Sequence, residues 1–333
     1  MNLRQRIRNS DALRESILRL LASKWLNRNG IYRAVYRRQI LRRAQTGLLR
    51  PESVDIESSS YCNAKCVMCT HPRMTRKKGN MPWEIFEKAV QEAVAWGVPR
   101  IYLSGFGEPF IDKTLTRKIR RAKELGAPWV GCLTNGSLLS EKTVDEILAS
   151  GLDEIAISMD GFSPETFNRI RAGLDFDEVT AGVTRLLTRR GPRPLPKVQI
   201  QVVLQPGNIH EKEKAKRLWV GKADQLAFRQ IQSWGGSVNS EEPSALFSPN
   251  TVENNKLYPC RYLWTQLNIK DNGDVTLCCL DWDAKMVVGN IREQSLQQVW
   301  RSPRLEQVRK LHLENRIAEV PLCKNCDFFS VWW

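Results

Sequence analysis

Hydrophobic residues recur with two alternating periods along residues 53–229. Short apolar runs typical of buried strands are each followed by a stretch with the period of an amphipathic helix. The predicted strands are Val54–Glu57, Arg100–Leu103, Trp129–Leu133, Glu154–Ser158, Val198–Leu204 and Gln225–Arg229. The predicted helices are Trp83–Trp96, Leu115–Leu125, Glu141–Ala149, Phe176–Arg189 and Glu211–Val220. This alternation predicts an α/β fold in which a parallel sheet curves into a partial (β/α)6 barrel, with ligands at the carboxyl ends of the strands.

The pattern changes on both sides of this barrel. Residues 1–50 have helical periodicity, and residues 236–259 are rich in Ser, Asn, Glu and Pro, which predicts a linker or lid. Beyond the linker, Asp271-Asn272-Gly273 is a hairpin signal, and a helix is predicted over Ser295–Leu313. We therefore expect four regions: a helical extension at 1–50, the barrel at 51–235, the linker at 236–259 and a small C-terminal domain at 260–333.

The positive charge of the chain is concentrated at its N-terminus. The net charge is +15, yet the first fifty residues contain thirteen Lys or Arg and only two acids, which leaves +4 for the other 283 residues. A nearly balanced body argues against nucleic-acid binding. The basic extension either packs on the main domain or docks onto an anionic membrane surface or an acidic partner.

Membrane insertion and secretion are not predicted. No apolar run approaches the roughly 18–20 residues of a membrane span, and Arg19 and Lys24 interrupt the early apolar stretch at Ile17–Leu26. The nine cysteines fall mainly in tight groups. In a chain without a secretory signal, such grouping favours metal or cluster ligands over disulfides, and therefore a reducing cytoplasm.

The first cysteine group lies on the loop that follows the first predicted strand. Cys62, Cys66 and Cys69 are separated by four and three positions. Three thiolates on one loop can bind three irons of a cubane and leave the fourth iron open. With His71 as a fourth ligand, the same residues could instead hold zinc, so the residues alone leave both metals open.

This CxxxCxxC loop after the first strand of a partial barrel resembles that of the radical S-adenosylmethionine (SAM) enzymes. The resemblance implies that Cys62, Cys66 and Cys69 hold a [4Fe-4S] cluster whose open iron chelates the methionine end of SAM. An electron, supplied by a reductant such as flavodoxin or ferredoxin, would then cleave SAM to a 5′-deoxyadenosyl radical that abstracts a substrate hydrogen atom. Met68 stands at the family position that contacts adenine.

Three further segments at strand ends resemble family segments that line the SAM site: Ser104–Pro109, Leu133–Gly136 and Ser158–Gly161. Ser104–Pro109 resembles the GGEP segment, whose backbone and carboxylate bind the methionine amino group, and a carboxylate suits an ammonium ion. Arg171 resembles the cation that pairs with the methionine carboxylate. Together, the resemblance implies SAM contacts at Gly105, Gly107, Glu108, Asn135, Ser158 and Arg171.

The second cysteine group combines a CxnGxxxxC segment with a C-terminal CxxC pair. Spacing alone is typical of a structural zinc site with four cysteine ligands. The pattern also resembles the SPASM and twitch extensions of radical SAM enzymes, and this chain has too few cysteines for the two clusters of a full SPASM domain. The resemblance implies a small cluster-binding domain with one auxiliary [4Fe-4S] cluster and an electron-transfer role. Its ligands would be Cys260, Cys278, Cys323 and Cys326.

Two cysteines remain outside these ligand sets. Cys132 and Cys279 are either packed in apolar surroundings or deliver a hydrogen atom to a substrate radical, as cysteines do in radical epimerases. A donor must face the barrel interior, which Cys132 on the third strand could do.

The resemblance implies specific cofactors but leaves several substrate classes open. The leading hypothesis is epimerisation or oxidation of a carbohydrate-like small molecule, a sugar or an aminocyclitol. The alternatives are radical modification of a peptide or protein and, outside enzymes, a zinc-binding interaction module.

Overall fold

The computed structural model describes residues 50–231, 234–235 and 259–326, together with six helical residues between 34 and 42. Most of the predicted N-terminal extension and linker therefore lies outside the described residues. None of the described helices has both the length and the apolar composition that crossing a membrane requires.

Strands and helices alternate in the predicted order. The strands are β1 (Ser53–Ile56), β2 (Ile101–Leu103), β3 (Val130–Thr134), β4 (Glu154–Ser158), β5 (Lys197–Leu204), β6 (Gln225–Gln230), β7 (Gln266–Ile269), β8 (Asp274–Thr276) and β9 (Val287–Asn290). The α-helices are α1 (Trp83–Ala95), α2 (Leu115–Glu124), α3 (Glu141–Leu148), α4 (Pro164–Ile170), α5 (Phe176–Arg190), α6 (Lys212–Trp219), α7 (Leu296–Trp300), α8 (Pro303–Leu313) and α9 (Pro321–Lys324). Helices α4 and α9 and strand β9 were not predicted from the sequence. One helix was predicted over Ser295–Leu313, where the structure has α7 and α8 with Pro303 at the start of the second.

Helix α5 illustrates why these segments fold as they do. The Asp175 side chain accepts hydrogen bonds from the backbone N–H groups of Asp177 and Glu178, which satisfies donors that have no partner inside the helix. Val179 and Val183 lie one turn apart on the buried face. The helix ends where Gly191 adopts a positive φ of 57°, a conformation that favours glycine.

The described strands form one sheet in the order β6-β5-β4-β3-β2-β1-β7-β8-β9. Strands β1 to β6 pair in parallel, which confirms the predicted mostly parallel α/β architecture. The predicted hairpin is formed by β7 and β8. Strand β7 also pairs in parallel with β1, so the hairpin continues the sheet of the barrel instead of standing apart.

The two faces of the sheet differ in composition. Register partners Leu103, Cys132 and Ile155 lie on a face of fully buried, mainly aliphatic side chains. The opposite face carries Tyr102, whose ring stacks on Trp129 at 5.7 Å. Burial and the carboxylate of Glu154 raise the pKa of Tyr102, whereas Arg229 lowers it. The strand register places Glu154 on β4 and Arg229 on β6 on the same face as Tyr102, which is the concave interior of the curved sheet.

The chain separates into two compact units. The barrel unit comprises Leu49–Ile231 and Thr265–Glu306, and the second unit comprises Met1–Leu48, Gln232–Trp264 and Gln307–Trp333. In the second unit, the backbone N–H of Cys260 donates to Nδ1 of His312 at 3.2 Å. The four predicted regions, with their boundaries at 51, 236 and 260, stay a prediction.

Candidate cluster and cofactor site

The loop after β1 carries Cys62, Cys66 and Cys69 and is fixed along its backbone. The N–H groups of Lys65 and Val67 donate to the carbonyl oxygens of Ala172 and Ile170, at 2.7 and 3.0 Å. These acceptors lie at the end of α4 and just beyond it. The helix that the sequence analysis missed therefore leads into the segment against which the cysteine loop is held.

Side chains at the end of β3 hold the same loop from another side. The Asn135 amide donates to Oδ1 of Asn63 at 2.9 Å, and the Asn63 amide donates to the Ser137 hydroxyl at 2.9 Å. Ser137 in turn donates to Oδ1 of Asn135. Asn135, predicted to contact SAM, thus positions the cysteine loop, and its contact with SAM stays a prediction. Asn63 and Ser137 were not predicted.

Arg171 lies beside the second cysteine of the loop. Its guanidinium forms a buried ion pair with Asp160 at 2.5 Å and is 3.8 Å from Sγ of Cys66. Asp160 lies two residues beyond the end of β4 and also accepts a hydrogen bond from the backbone N–H of Val203 at 2.6 Å. The predicted contact between Arg171 and the carboxylate of SAM stays a prediction, but the structure places a buried cation next to the cysteine loop.

The three cysteines of the loop influence one another electrostatically. Burial, followed by Glu108 and the two other cysteines, raises the pKa of the Cys62 thiol to about 11. Burial is also the main cause that raises the pKa of Cys66 and of Cys69. Three neighbouring thiolates, one buried and two half-buried, repel one another unless a bound cation compensates them, as iron does when thiols deprotonate to become ligands. This set of donors fits an iron-sulfur cluster.

The placement of His71 does not support the zinc alternative. Its ring nitrogen Nε2 lies 2.9 Å from the carbonyl oxygen of Ser60, and the side chain is buried. Within the described residues, no three His, Cys, Asp or Glu side chains are close enough to hold a single metal ion. A cubane needs no such convergence, because each thiolate binds a different iron.

The segment after β2 packs tightly against the segment after β1. A Cβ atom on Gly107 would lie 2.2 Å from the carbonyl oxygen of Ser59, and one on Gly105 would lie 2.3 Å from Cγ of Glu57. Both positions exclude a side chain because protein atoms occupy the space, whereas the sequence analysis assigned these glycines to close approach by a ligand. Their contact with SAM stays a prediction.

Glu108 is fully engaged within the protein. Its carboxylate accepts hydrogen bonds from the Thr134 hydroxyl at 2.7 Å, from the backbone N–H of Asn135 at 2.7 Å and from that of Phe110 at 3.2 Å. Burial raises its pKa to about 6 despite these bonds. The Glu108 side chain thus stabilises the end of β3. A direct contact with the methionine amino group, which the resemblance implied, stays a prediction that these bonds do not favour.

A buried charge network that the sequence analysis missed lies beside the cysteine loop. Arg76 forms ion pairs of 2.6 Å with both Glu57 and Asp271. Glu57 also accepts from the backbone N–H of Phe106 at 2.8 Å, and Asp271 accepts from the Ser60 hydroxyl at 3.1 Å. The network fixes the segments after β1, β2 and β7 to one another. A carboxylate directly after a parallel strand, as Glu57 is, was the available signal.

The other predicted residues are placed as follows. Met68 is half-buried in the turn before Cys69, and Ser158 is buried at the end of β4 beside Gln201.

Cys132 lies on the aliphatic face of the sheet and not on the face of Tyr102, so it does not face the barrel interior as a hydrogen donor would have to. Cys279 is half-buried next to Cys278.

The second cysteine group is divided between the two units. Cys278 follows β8 in the barrel unit, where burial raises the pKa of its thiol to about 11. Cys260, Cys323 and Cys326 are buried in the second unit. Their assignment as ligands of one auxiliary cluster stays a prediction.

Comparison with known families accounts for both cysteine groups. The profile of the radical SAM superfamily matches residues 56–218, and that of an iron-sulfur cluster-binding domain, SPASM, matches residues 260–327. The chain belongs to the radical SAM enzymes, within the group that carries a C-terminal SPASM domain. This confirms the predicted cofactors: SAM, a [4Fe-4S] cluster and auxiliary cluster chemistry in the C-terminal domain. The zinc interpretations of both cysteine groups are set aside.

Two curated relatives illustrate the range of similar proteins. The chain is 24% identical over 316 residues to the "Tungsten-containing aldehyde ferredoxin oxidoreductase cofactor-modifying protein" of Pyrococcus furiosus, which covers 82% of this chain and 88% of that protein. It is 30% identical over 160 residues to a probable GTP 3',8-cyclase of Methanothermobacter thermautotrophicus. That match covers 48% of this chain and 50% of the cyclase, so the chain matches about half of the cyclase's length.

Two solved structures share the fold. BtrN in complex with AdoMet and 2-DOIA superposes with a TM-score of 0.57 at 19% identity, which covers 83% of this chain and 93% of BtrN. Streptococcus suis SuiB bound to precursor peptide SuiA superposes with a TM-score of 0.67 at 18% identity, which covers 89% of this chain and 74% of SuiB.

Proposed function

We propose that the protein oxidises or epimerises a hydroxyl-rich small molecule, a sugar or an aminocyclitol, by radical SAM chemistry. The polar lining of the barrel interior is the observation that carries this proposal. When bound and reduced, the [4Fe-4S] cluster and SAM supply a 5′-deoxyadenosyl radical that can abstract a hydrogen atom from a C–H bond. The chain itself must bind the substrate, orient it and exclude water.

Amide and carboxyl side chains occupy interior positions on four strands of the barrel unit. Asp55 on β1 accepts a hydrogen bond from the Ser53 hydroxyl at 3.1 Å and is also bonded to Gln266 on β7. Gln199 on β5 donates to Gln225 on β6 at 2.7 Å. Such groups suit a ligand that presents many hydroxyl groups, because placed polar side chains fix orientation in a binding site. The fold shared with BtrN, whose structure contains 2-DOIA, agrees with a small-molecule substrate.

Oxidation fits the residues better than epimerisation. Converting a CH–OH group to a carbonyl removes one hydrogen atom, one proton and one electron. With the cofactors bound, the 5′-deoxyadenosyl radical would take the hydrogen atom and an oxidised auxiliary cluster would take the electron, and we assign the proton to Asp55. Burial raises the pKa of Asp55 to about 7, which suits a base at neutral pH. Epimerisation needs a hydrogen donor. Cys132 lies on the aliphatic face of the sheet, which leaves the half-buried Cys279 as the remaining candidate.

Product analysis in deuterated solvent tests this assignment. The anaerobically reconstituted enzyme, with dithionite and SAM, is incubated with a panel of sugars and aminocyclitols, and 5′-deoxyadenosine and products are quantified by mass spectrometry. We expect one panel member to stimulate 5′-deoxyadenosine formation and to lose two mass units. Cys132→Ala should behave as the wild type, whereas Cys62→Ala should form no 5′-deoxyadenosine. A product of unchanged oxidation state that carries one solvent deuterium would contradict oxidation.

Peptide modification is the second candidate. The similarity to SuiB, whose structure contains the precursor peptide SuiA, extends over more of this chain than the similarity to BtrN. The basic N-terminal extension, predicted from sequence, could hold an acidic peptide. If acidic peptides and none of the small molecules stimulate 5′-deoxyadenosine formation, this candidate replaces the first. In either case we propose flavodoxin or ferredoxin as the reductant.

A further inference from the structure

Strand β7 adds an unusual row of polar side chains to the barrel interior. Its residues pair in parallel with β1, with Gln266 opposite Ser53 and Asn268 opposite Asp55. Side chains two positions apart on a strand project from the same face, so Asn268 and Lys270 follow Gln266 on the face of Asp55. This row was not predicted from the sequence.

Lys270 is a buried cation that no described carboxylate contacts directly, although its charge acts on the carboxyl group of Asp55. Its side chain is only 4% exposed, and its ammonium group lies 5.0 Å from the centroid of the Phe106 ring. Across the part of the chain that the structure describes, the ammonium forms neither an ion pair nor a hydrogen bond. The adjacent carboxylate, Asp271, is bound to Arg76 and Ser60 instead. Burying an unpaired charge is costly, so such a lysine is rarely retained for stability.

Asn268 is a second buried group without a partner. It is 4% exposed, and its amide nitrogen has no hydrogen-bond acceptor among the described residues. The Cα atoms of Asn268 and Lys270 lie about 7 Å apart, as expected for alternate residues of a strand. The long lysine side chain can span this distance, so both donors can reach one ligand group.

The Lys270 ammonium and the Asn268 amide indicate which ligand group would bind them. An ammonium and an amide N–H together suit an anionic oxygen, and a charge-assisted hydrogen bond is about twice as strong as a neutral one. A single cation suits the single charge of a carboxylate better than a phosphate. Hydroxyl groups of a sugar would satisfy Asn268 but would leave the ammonium of Lys270 without a directly bound anion.

We propose that Lys270 and Asn268 bind a carboxylate of the substrate, so that the substrate is an acidic sugar or cyclitol. This inference rests on the proposed function, because it assigns the substrate class of the same barrel interior. Lys270 could instead act on the auxiliary cluster or on SAM. Lys270 also reaches Cys278 electrostatically, and it lies against the segment that resembles the family's methionine-binding residues. The test must therefore separate substrate, auxiliary cluster and SAM.

D-glucuronate and D-glucose are matched probes, because they differ only in a carboxylate in place of a hydroxymethyl group. Their binding to the reconstituted enzyme with SAM present is measured by anaerobic titration calorimetry. We expect glucuronate to bind at least about tenfold more tightly than glucose, which corresponds to one hydrogen bond to a charged group. Equal affinities for the two probes would overturn the proposal.

Three variants locate the effect. Lys270→Met should weaken glucuronate binding about tenfold or more and leave glucose binding within twofold of the wild type, and Asn268→Ala should weaken glucuronate binding by a smaller factor. Lys285→Met is the control, because Lys285 is exposed and lies over Trp282 at 5.3 Å in the same unit. The control should bind both probes as the wild type does.

Lys270→Met also distinguishes binding from a structural role. Removing an unpaired buried charge should leave the melting temperature unchanged or raise it, whereas a structural lysine would lower it. The proposal is overturned if the variant loses SAM affinity with glucuronate binding intact, or if only the potential of the auxiliary cluster shifts. If no sugar stimulates 5′-deoxyadenosine formation although glucuronate binding depends on Lys270, the proposed function fails and this site stands.

Discussion

Arg171 and Asp160 form a buried ion pair of 2.5 Å beside the cysteine loop. Asp160 connects this pair to β5 through the backbone N–H of Val203, and Arg171 connects it to Cys66. The pair therefore connects two strand ends to the loop that carries Cys62, Cys66 and Cys69, the predicted cluster ligands. Because both partners are buried, removal of either one leaves a charge that water cannot solvate.

We expect Asp160→Asn to lower the free energy of unfolding by about 3 kcal/mol, because the charge of Arg171 then stays buried without compensation. Urea denaturation of the metal-free chain measures this loss. Glu141→Gln is the control, since Glu141 is exposed and lies 3.7 Å from Arg189, and it should cost less than about 1 kcal/mol. Similar losses in the two variants would show that the buried pair contributes no more than an exposed one.

Gly107 is expected to be essential for the cluster of the cysteine loop. A methyl group there would lie 2.2 Å from the Ser59 carbonyl and 2.6 Å from that of Tyr61, so Gly107→Ala must displace the segment that leads into Cys62. After anaerobic reconstitution, we expect the iron content to fall from about eight to about four atoms per chain. Gly207→Ala should keep all of its iron, because the nearest atom to its new Cβ is 3.6 Å away.

Arg76 compensates two buried carboxylates at once, those of Glu57 and Asp271. We expect Arg76→Met to lower the free energy of unfolding by about 3–5 kcal/mol at pH 8 and by less at pH 5. Without the guanidinium, two buried carboxylates lack a compensating cation, and protonation at the lower pH removes this charge. Urea denaturation at the two pH values measures the difference.

Arg121→Met is the control for this variant. Arg121 also bridges two carboxylates, Glu87 at 2.7 Å and Glu124 at 3.4 Å, but on the protein surface. It should cost less than about 1 kcal/mol at either pH. A loss in Arg76→Met that does not depend on pH would mean that packing, and not charge compensation, accounts for its effect.

The sequence predicted the barrel because strands and helices leave different periods in the order of apolar residues. It did not predict that β7 pairs with β1, since residues as far apart as Asp55 and Asn268 come together only through tertiary packing. Helix α4 was missed because it has seven residues and buries few apolar side chains, although Ser163 and Pro164 form a recognisable helix start.

The sequence predicted the cysteine loop but not the residues that hold it in place. Cysteine spacing indicated the loop, because a cluster constrains which positions can carry thiolates. The network of Glu57, Arg76 and Asp271 leaves no periodic signal, because its partners are brought together by folding. The roles of Gly105 and Glu108 also depend on which atoms fill the space beside them, and neither composition nor spacing carries that information.

Asp55 should make the stability of the protein depend on pH in the neutral range. Burial raises its pKa from 3.8 to about 7, against a hydrogen bond from Ser53. Between these values the folded chain keeps a proton that the unfolded chain has released, so the free energy of unfolding falls as the pH rises. Asp55→Asn should therefore exceed the wild type in stability by up to about 4 kcal/mol at pH 8 and by much less at pH 5.

Urea denaturation of the metal-free chains at both pH values measures this difference in stability. Asp177→Asn is the control, because Asp177 is exposed at the start of α5. An equal difference at both pH values would show that Asp55 is already ionised in the folded chain at pH 5.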